Sequence, residues 1–538
     1  MPYFFIGTIF FSCFFIYRKT LTESALLLYD DSILIFPYRY IRNFREYLDA
    51  VDGGYIYDRQ PIRDLSYWLE YRLYELTGYF NTHVTNFLIW IGILILCYQL
   101  AKRFIQSDLL LKIYFLLIAL HPLPITSIAW SASRKHLLSA FFILAATNFL
   151  LANKKRQHLL LVWLFYTMAL LSQPIHILWP AAAVLLIWSQ QQDSIKDILR
   201  KYFPLWAALG LSAVAVAYWN YTYYMSPAFI LLQGGSKYIV ENLDIVATRF
   251  LVLGRYFLNS FFPLYVSSSS YEPFQLKSIV GVVGLIFCLL LTGRRIIQKK
   301  YIGLWALSLI GILFMTVKIT VHAGWDTYAL LFILIAPLVL LQEYERFFSN
   351  RLIFTFILFC CVVISSAHVR TFYSDLNYWV RAYQTDPNLF NKTKYAQASL
   401  NYRVNTEEVI RIIGEIQNEF PGYGELGYLV ARFIVNNVKD PEKQLEELKK
   451  NYMPQPWYLC FLALSYMDNH EYQKVIFIMY DLFTVQPEIS YNNLKPQLKT
   501  MKQVWKEACE KTPEEEEKCQ KIDELIPDHM INMYGASK

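Results

Sequence analysis

Apolar stretches long enough to cross a bilayer recur through the first two thirds of the chain, and most of them end at charged residues. A transmembrane helix needs about 20 predominantly apolar residues. The 538 residues are 55% hydrophobic, which is more than a soluble protein with a single core contains. We therefore predict an all-α fold with a polytopic membrane domain over residues 1–367, built from roughly eleven crossings.

The predicted crossings are residues 3–17, 87–100, 109–130, 137–151, 159–171, 175–188, 203–219, 279–291, 301–317, 328–341 and 352–366. Residues 246–264 are also apolar, but they carry Arg249 and Arg255 about two helical turns apart. Guanidinium groups at membrane depth require water, protein or an anion beside them. We expect this segment to be a re-entrant or interfacial helix that faces a wet cavity.

Basic clusters at the ends of the apolar stretches set the expected orientation. They occupy positions 102–103, 154–156, 294–295 and 299–300, where an excess of Lys and Arg is typical of cytoplasmic turns. This pattern predicts a cytoplasmic N-terminus, a first outer loop over residues 29–82 and an external C-terminal region. The net charge of +7 arises largely at such membrane-flanking sites, so nucleic acid is not an expected partner.

From residue 368 onward the composition becomes that of a soluble domain. Pro387 and Pro421 are separated by about 34 residues, the repeat length of TPR helical hairpins, and Pro487 lies close to two repeats further on. Residues 368–538 are therefore predicted to form a TPR-like α-solenoid, with a generic helical tail as the alternative. If this tail is external, Cys509 and Cys519 would close a helical hairpin by a disulfide; two unpaired thiols are the alternative.

An acidic pair, Asp30-Asp31, follows the first apolar stretch. Two adjacent carboxylates at a membrane surface repel each other, which favours a proton acceptor or a cation site over a packing role. A helix cap in a solvated loop is the alternative. The sequence contains no glycine-rich phosphate loop, no paired-cysteine zinc motif and no nucleophile elbow. We expect no metal and no cofactor.

Several polar motifs occur in a fixed order along the chain: Pro61-Ile62-Arg63-Asp64-Leu65-Ser66-Tyr67, His83-Val84-Thr85-Asn86, His121-Pro122, Ala129-Trp130, Ser133-Arg134-Lys135-His136-Leu137-Leu138, Ser172-Gln173-Pro174 and Asp326-Thr327-Tyr328. In this order the chain resembles bacterial relatives of the transmembrane-and-TPR O-mannosyltransferases, which are multi-span glycosyltransferases with the GT-C fold. The resemblance extends over essentially the whole chain.

The resemblance implies roles for individual residues. Asp30 or Asp31 would be the catalytic base, and Arg134 with Lys135 would bind the donor phosphate; a lipid-headgroup anchor is the alternative for these two cations. Thr327 stands where the family carries an arginine, so Arg249, Arg255 or His322 would have to replace it; loss of the activity is the alternative. The residues expected to support the loop and the acceptor are Asp52, Arg63, Asp64, His83 and Asp326.

By this resemblance, the chain is expected to transfer a sugar from a polyprenyl-phosphate donor to a hydroxyl of an exported protein. The reaction would take place at the outer face of a bacterial inner membrane, among membrane lipids, with the acceptor held by a periplasmic TPR-like tail. Gln60 replaces the family's arginine before the proline and, like Thr327, departs from the pattern. The alternative is a non-catalytic membrane scaffold whose tail binds an envelope protein.

Overall fold

The computed structural model describes residues 3–22, 35, 41, 43–52, 59–77, 81–152, 156–191, 193–224, 254, 276–291, 301–317, 330–385, 387, 389–419, 429–430, 433, 463, 466–467, 470–485 and 498–525. All regular secondary structure within these residues is helical, and they contain no strand. The predicted all-α fold class is confirmed for this part of the chain.

The chain divides into two compact units, Met1–Asp386 and Pro387–Lys538. The change in composition had placed the boundary after residue 367. The polar helix Asp375–Thr385 belongs to the first unit because its aromatic side chains pack there. Phe372 contacts both His368, in the last apolar helix, and Tyr378, and Trp379 is almost completely buried.

The helices of the first unit are α1 Tyr3–Thr22, α2 Phe44–Asp52, α3 Pro61–Thr77, α4 Thr82–Phe104, α5 Asp108–Leu120, α6 Pro124–Ala129, α7 Arg134–Leu151, α8 Arg156–Ser172, α9 Trp179–Gln190, α10 Ile195–Lys201, α11 Phe203–Tyr224, α12 Leu276–Leu291, α13 Ile302–Val317, α14 Leu330–Glu343, α15 Glu345–Phe348, α16 Arg351–Arg370 and α17 Asp375–Thr385. Two 3₁₀ turns, Ser131–Ser133 and Pro174–His176, precede α7 and α9. Segment 246–264 lies outside the described residues apart from Gly254.

Three of the described helices are long and apolar enough to span a membrane: Thr82–Phe104, Phe203–Thr222 and Arg351–Arg370. Gln157–Ser172 and Leu330–Glu343 are apolar but shorter. On α16, the strongly exposed side chains Leu352, Phe356, Phe359 and Val363 follow helical spacing and form one apolar stripe. Such a stripe fits a helix with one face toward lipid. The full set of eleven crossings remains a prediction.

The predicted crossing at residues 109–130 is wrong as a single helix. Helix α5 has 13 residues and ends at Leu120, and the short α6 begins only at Pro124. Pro122 and Pro124 cause this break, because each lacks the backbone N–H that a continuous helix requires. The hydroxyl of Ser365 on α16 donates to the Leu120 carbonyl over 2.8 Å and so binds the exposed end of α5.

Helix α13 lies very close to α9 at Gly303. A Cβ atom at this position would overlap the backbone of Leu186 and lie 2.8 Å from the carbonyl oxygen of Leu185. Gly210 on α11 differs, because a Cβ atom there would meet nothing within 4 Å. A glycine is therefore needed at position 303 for the two backbones to approach each other.

The described helices of the second unit are α18 Leu389–Tyr402, α19 Thr406–Glu419, α20 Tyr472–Val485, α21 Leu498–Lys511 and α22 Glu516–Leu525. Helices α18 and α19 form an antiparallel hairpin within the first predicted repeat, and Arg403 and Asn405 in its turn have a positive φ of 54°. The TPR-like solenoid as a whole remains a prediction.

Electrostatic and covalent links join neighbouring helices of the second unit. Lys392 on α18 donates to Glu415 on α19 over 2.7 Å, and this bond, helped by Arg411, lowers the pKa of the Glu415 carboxyl. Cys509 on α21 and Cys519 on α22 form a disulfide, with Cα atoms 6.1 Å apart. This is the pairing that the sequence suggested for an external tail.

Candidate functional site

Five of the predicted site residues lie in one region of the first unit: Arg63, Asp64, His83, Arg134 and Lys135 are all buried. Asp52 is the last residue of α2, and its role stays a prediction. The catalytic pair and the remaining predicted cations and acid fall outside the described residues. These are Asp30, Asp31, Arg249, Arg255, His322 and Asp326.

Helix α3 carries the first motif of this region. Pro61 opens the helix, a position where its missing N–H has no cost, and Asp64 lies in the first turn, where the helix dipole favours a negative charge. Arg63 forms an ion pair with Asp64 at 2.6 Å and donates to the Gln60 side chain over 3.1 Å. Gln60 thus serves as an acceptor for Arg63 in this chain.

Tyr47 on α2 lies beside this ion pair, and its hydroxyl donates to the Pro61 carbonyl. Burial raises the pKa of the Tyr47 hydroxyl well above its ordinary range. The Asp64 carboxylate raises this pKa further, while the Arg63 guanidinium opposes the effect. Tyr47 therefore stays protonated at neutral pH and acts as a hydrogen-bond donor that holds the start of α3.

Arg134, the first residue of α7, lies at the centre of the region with no exposed surface. Its guanidinium makes four hydrogen bonds: to the Asn86 side chain at 2.7 Å, the Glu70 carboxylate at 2.8 Å, the Thr82 carbonyl at 3.0 Å and the Ser66 hydroxyl at 3.1 Å. It also lies 4.4 Å from the centre of the Tyr67 ring. Arg134 thereby connects α3, α4 and α7.

The start of α4 is bound into the same cluster. The Asn81 side chain accepts from the backbone N–H groups of His83 and Val84, and so caps the helix. One turn later, the Asn86 amide donates to carbonyls at the end of α6, including that of Ile128 at 3.3 Å. A side-chain amide is suited to this position because it can serve the guanidinium and the carbonyls simultaneously.

His83 lies beside the 3₁₀ turn Ser131–Ser133. Its Nδ1 atom is 3.5 Å from the Ser131 hydroxyl, which also forms a short hydrogen bond with the Thr82 hydroxyl. The Tyr67 hydroxyl donates to the Ser131 carbonyl over 2.7 Å. His83 and Tyr67 therefore fix the turn that brings Arg134 to the cluster.

The geometry bears directly on the predicted role of Arg134. A headgroup anchor would be exposed, so complete burial excludes that alternative for Arg134. Four of its five N–H groups already donate to protein acceptors. Its main observed contact is a protein carboxylate, and binding of a donor phosphate by Arg134 stays a prediction. Lys135, at 6% exposure, is also buried.

Sequence reasoning missed Glu70, the acidic partner of Arg134. Its side chain is 12% exposed, and its second oxygen, Oε2, is buried without a hydrogen bond from the described residues. No motif marks this glutamate. Helical spacing could have indicated it, because positions 63, 66, 67 and 70 share one face of α3 and the first three belong to the motif.

The Ser172-Gln173-Pro174 turn contributes to a second buried polar cluster. The hydroxyl of Ser139 on α7 lies 2.7 Å from His176 Nδ1 and 3.1 Å from the Gln173 carbonyl. Trp179, at the start of α9, donates to the Thr147 hydroxyl of α7 over 3.1 Å. These contacts attach the 3₁₀ turn before α9 to α7, which is a structural role.

Among the described residues, no group of three or more His, Cys, Asp or Glu side chains could hold a metal ion. Comparison of the chain with protein-family models, with curated proteins and with solved structures found no match. Within the described residues, the sequence motifs meet in the cluster around Arg134, which joins α3 to α4 and α7.

Proposed function

We propose that this chain is a membrane-embedded glycosyltransferase of the GT-C type. It would move a sugar from a polyprenyl-phosphate donor to a hydroxyl of an exported protein, at the outer face of a bacterial inner membrane. The three membrane-length helices fit a lipid-linked donor, because the donor's isoprenoid chain has to remain in the bilayer while its phosphate reaches the surface.

One observation carries the proposal. The motif segments at residues 61–67, 83–86 and 129–138, which carry the resemblance, are far apart in sequence, yet they meet in the single hydrogen-bonded cluster around Arg134. If the motifs were chance matches, they would have no reason to contact one another. Their convergence supports a shared role in holding the loop helix α3 against the apolar helices.

In the proposed reaction, the acceptor hydroxyl oxygen attacks the anomeric carbon of the donor sugar. Asp30 or Asp31 takes the hydroxyl proton, and the bond between the anomeric carbon and the phosphate oxygen breaks, with its electron pair passing to the phosphate. Lys135, together with Arg249, Arg255 or His322, would stabilise the released charge. Arg134 would act mainly by positioning α3 and the loop around it.

The second unit would bind the acceptor protein. The antiparallel hairpin α18–α19 fits the first predicted repeat, and a disulfide such as Cys509–Cys519 is typical of an oxidising compartment outside the cytoplasm. The disulfide supports an external tail, and the hairpin supports the predicted repeat. Reporter fusions after residue 386 should therefore read periplasmic, and a cytoplasmic signal would contradict this part of the proposal.

The test of the activity is intact-mass spectrometry of exported proteins from cells with and without the chain. We expect a specific protein to lose the mass of a sugar when the chain is absent, and the same loss with Asp30→Asn or Asp31→Asn. Asp49→Asn is the matched control, because Asp49 is an exposed aspartate on α2 of the same loop region. Exposed substitutions of this kind usually change stability by less than about 0.5 kcal/mol. Full transfer by both acidic-pair variants would exclude the assigned base.

A non-catalytic scaffold is the second candidate, and the protein acceptors around the Arg134 guanidinium favour it. The guanidinium is held by protein acceptors, so the motif would also persist in a protein that binds no phosphate. Gln60 and Thr327, which replace arginines of the family pattern, agree with this candidate. Unchanged protein masses, together with loss of an envelope assembly that depends on residues 387–487, would favour the scaffold.

A further inference from the structure

Helix α3 presents three leucines on its outer face. Leu69, Leu73 and Leu76 are 53%, 56% and 84% exposed, and their spacing of four and three residues aligns them along one side of the helix. We call these three residues the leucine face. Phe44 on α2, 54% exposed, extends the exposed apolar surface, since its ring lies 6.2 Å from that of Trp68.

The polarity of α3 is opposite to that of a helix on the surface of a soluble protein. Such a helix turns its apolar stripe toward the core and its charges toward water. Here the charged pair Arg63 and Asp64 is buried, and Tyr67 lies inside against Arg134. The leucines point away from the protein. This arrangement favours an apolar or interfacial medium outside the leucine face, while the pair Arg72 and Glu75 remains partly exposed beside it.

Both ends of α3 adjoin the ends of membrane-length helices. Thr77 is four residues from Asn81, the cap of α4, so the two lie within about 14 Å of each other. At the other end, Arg59 donates to the Trp219 carbonyl over 3.1 Å, close to the end of the apolar helix Phe203–Thr222. A 17-residue helix is about 25 Å long. In the predicted orientation both apolar helices have these ends at the outer face, so α3 would lie along the plane of the bilayer surface.

Helix α4, which follows α3 in the chain, also exposes apolar side chains. Leu88, in the second turn of this membrane-length helix, is 62% exposed, as is expected of a side chain that faces lipid. Tyr74, on the exposed half of α3, is of a residue type enriched at membrane–water interfaces. A lipid surface fits these exposed side chains better than a separate protein partner, because the next helix in the chain is itself long and apolar enough to cross a bilayer.

We infer that the leucine face of α3 binds the bilayer surface, with α3 lying in the interface and its leucines among the headgroups and upper acyl chains. This role is independent of the proposed transferase activity, because a scaffold with the same fold would contact lipid in the same way.

The test uses the full chain in phosphatidylcholine nanodiscs, in a background without other free thiols. A single cysteine, Leu73→Cys, carries an environment-sensitive NBD dye. Leu211→Cys on α11 is the lipid-facing control, and Ile410→Cys on α19 of the second unit is the water-facing control; both side chains are exposed, at 72% and 52%. We expect the dye at position 73 to emit at a wavelength close to that at position 211. Nitroxide lipids should quench it at least twice as strongly as the dye at position 410.

Two results would overturn the inference. Quenching of the dye at position 73 by iodide, to the same extent as at position 410, would show that the face is in water. A blue-shifted dye that neither quencher reaches would show that protein, such as a second copy of the chain, covers the face. Photoreactive phosphatidylcholine applied to the unmodified chain gives a second measurement, because adducts should map to residues 69–76 and be absent from residues 402–411.

Discussion

Replacement of Arg134 by methionine should release helix α3 from the first unit. The substitution keeps a long apolar side chain but removes the guanidinium, leaving Glu70, Asn86 and the Thr82 carbonyl without their donor. Removal of one partner of a buried ion pair costs roughly 3–5 kcal/mol. Because the Glu70 side chain retains 12% exposure, water can solvate it in part, and we expect the lower limit of about 3 kcal/mol.

Hydrogen exchange of the α3 amides in nanodiscs measures this loss without unfolding the apolar helices. A loss of about 3 kcal/mol corresponds to a more than hundredfold increase in the population of the open state. The α3 amides should therefore exchange more than a hundredfold faster in Arg134→Met, while amides in α7 beyond its first turn should keep their protection.

Arg72→Met is the matched control, since it makes the same substitution on α3 itself. Arg72 pairs with Glu75 at 2.7 Å, but these side chains are 24% and 53% exposed, and such surface pairs contribute at most about 1 kcal/mol. Adding Glu70→Gln to Arg134→Met should restore part of the protection, because it removes the uncompensated charge. Equal exchange in Arg134→Met and Arg72→Met would refute the reasoning.

Three further predictions concern the packing and the second unit. Gly303→Ala should destabilise the first unit by about 1–3 kcal/mol, because the added methyl group would overlap the backbone of Leu186. Gly210→Ala, at an open helical site, should leave the stability unchanged or slightly raise it. Equal thermal midpoints for the two variants in detergent would contradict this prediction. Cys509→Ser should lower the free energy of unfolding of the second unit in denaturant by about 2.5 kcal/mol, and reduction of Cys509–Cys519 in the unmodified chain should have the same effect. If reductant leaves this free energy unchanged, the disulfide does not contribute to it. Because the pKa of Glu415 is lowered, this carboxyl stabilises the second unit at pH values above its ordinary pKa of 4.5, and the contribution is lost as the pH falls through the lowered pKa. The thermal midpoint of the second unit should therefore fall less steeply from about pH 5 to pH 3 in Glu415→Gln than in the unmodified chain. An equally steep fall in both would show that other groups cause it.

Hydropathy predicted the existence of the helices better than their ends. The predicted crossing at residues 87–100 is part of α4, which begins five residues earlier at Thr82. The apolar stretch began only at residue 87 because His83 and Asn86 are polar. Both are nonetheless buried within the helix, where contacts from α6, α7 and the turn before α7 compensate their polarity. Such long-range partners do not contribute to a local average.

The site was predictable as a set of segments but not as a set of contacts. The motifs identified Arg63, His83 and Arg134, and all three lie in or beside the cluster. The partner of Arg134 was not identified, because Glu70 is 64 residues away in sequence and its pairing depends on how α3 packs. The resemblance implied that Arg134 would bind the donor phosphate. The sequence could not show that the Glu70 carboxylate accepts a hydrogen bond from the Arg134 guanidinium.

Because the Arg134 guanidinium already donates to Glu70, a loss of activity in Arg134 variants can have more than one cause. If Arg134 contacted the donor phosphate directly, its replacement would reduce transfer even where α3 kept its protection against exchange. If Arg134 acts through α3, transfer and protection would be lost together, and Glu70→Gln in the Arg134→Met background would restore part of both. A third case is a loss of activity through weaker lipid contact of α3. A substitution on the leucine face tests it, because such a substitution leaves the Arg134 guanidinium unchanged. Activity measured alone cannot distinguish these cases, whereas activity and α3 exchange measured on the same variants can.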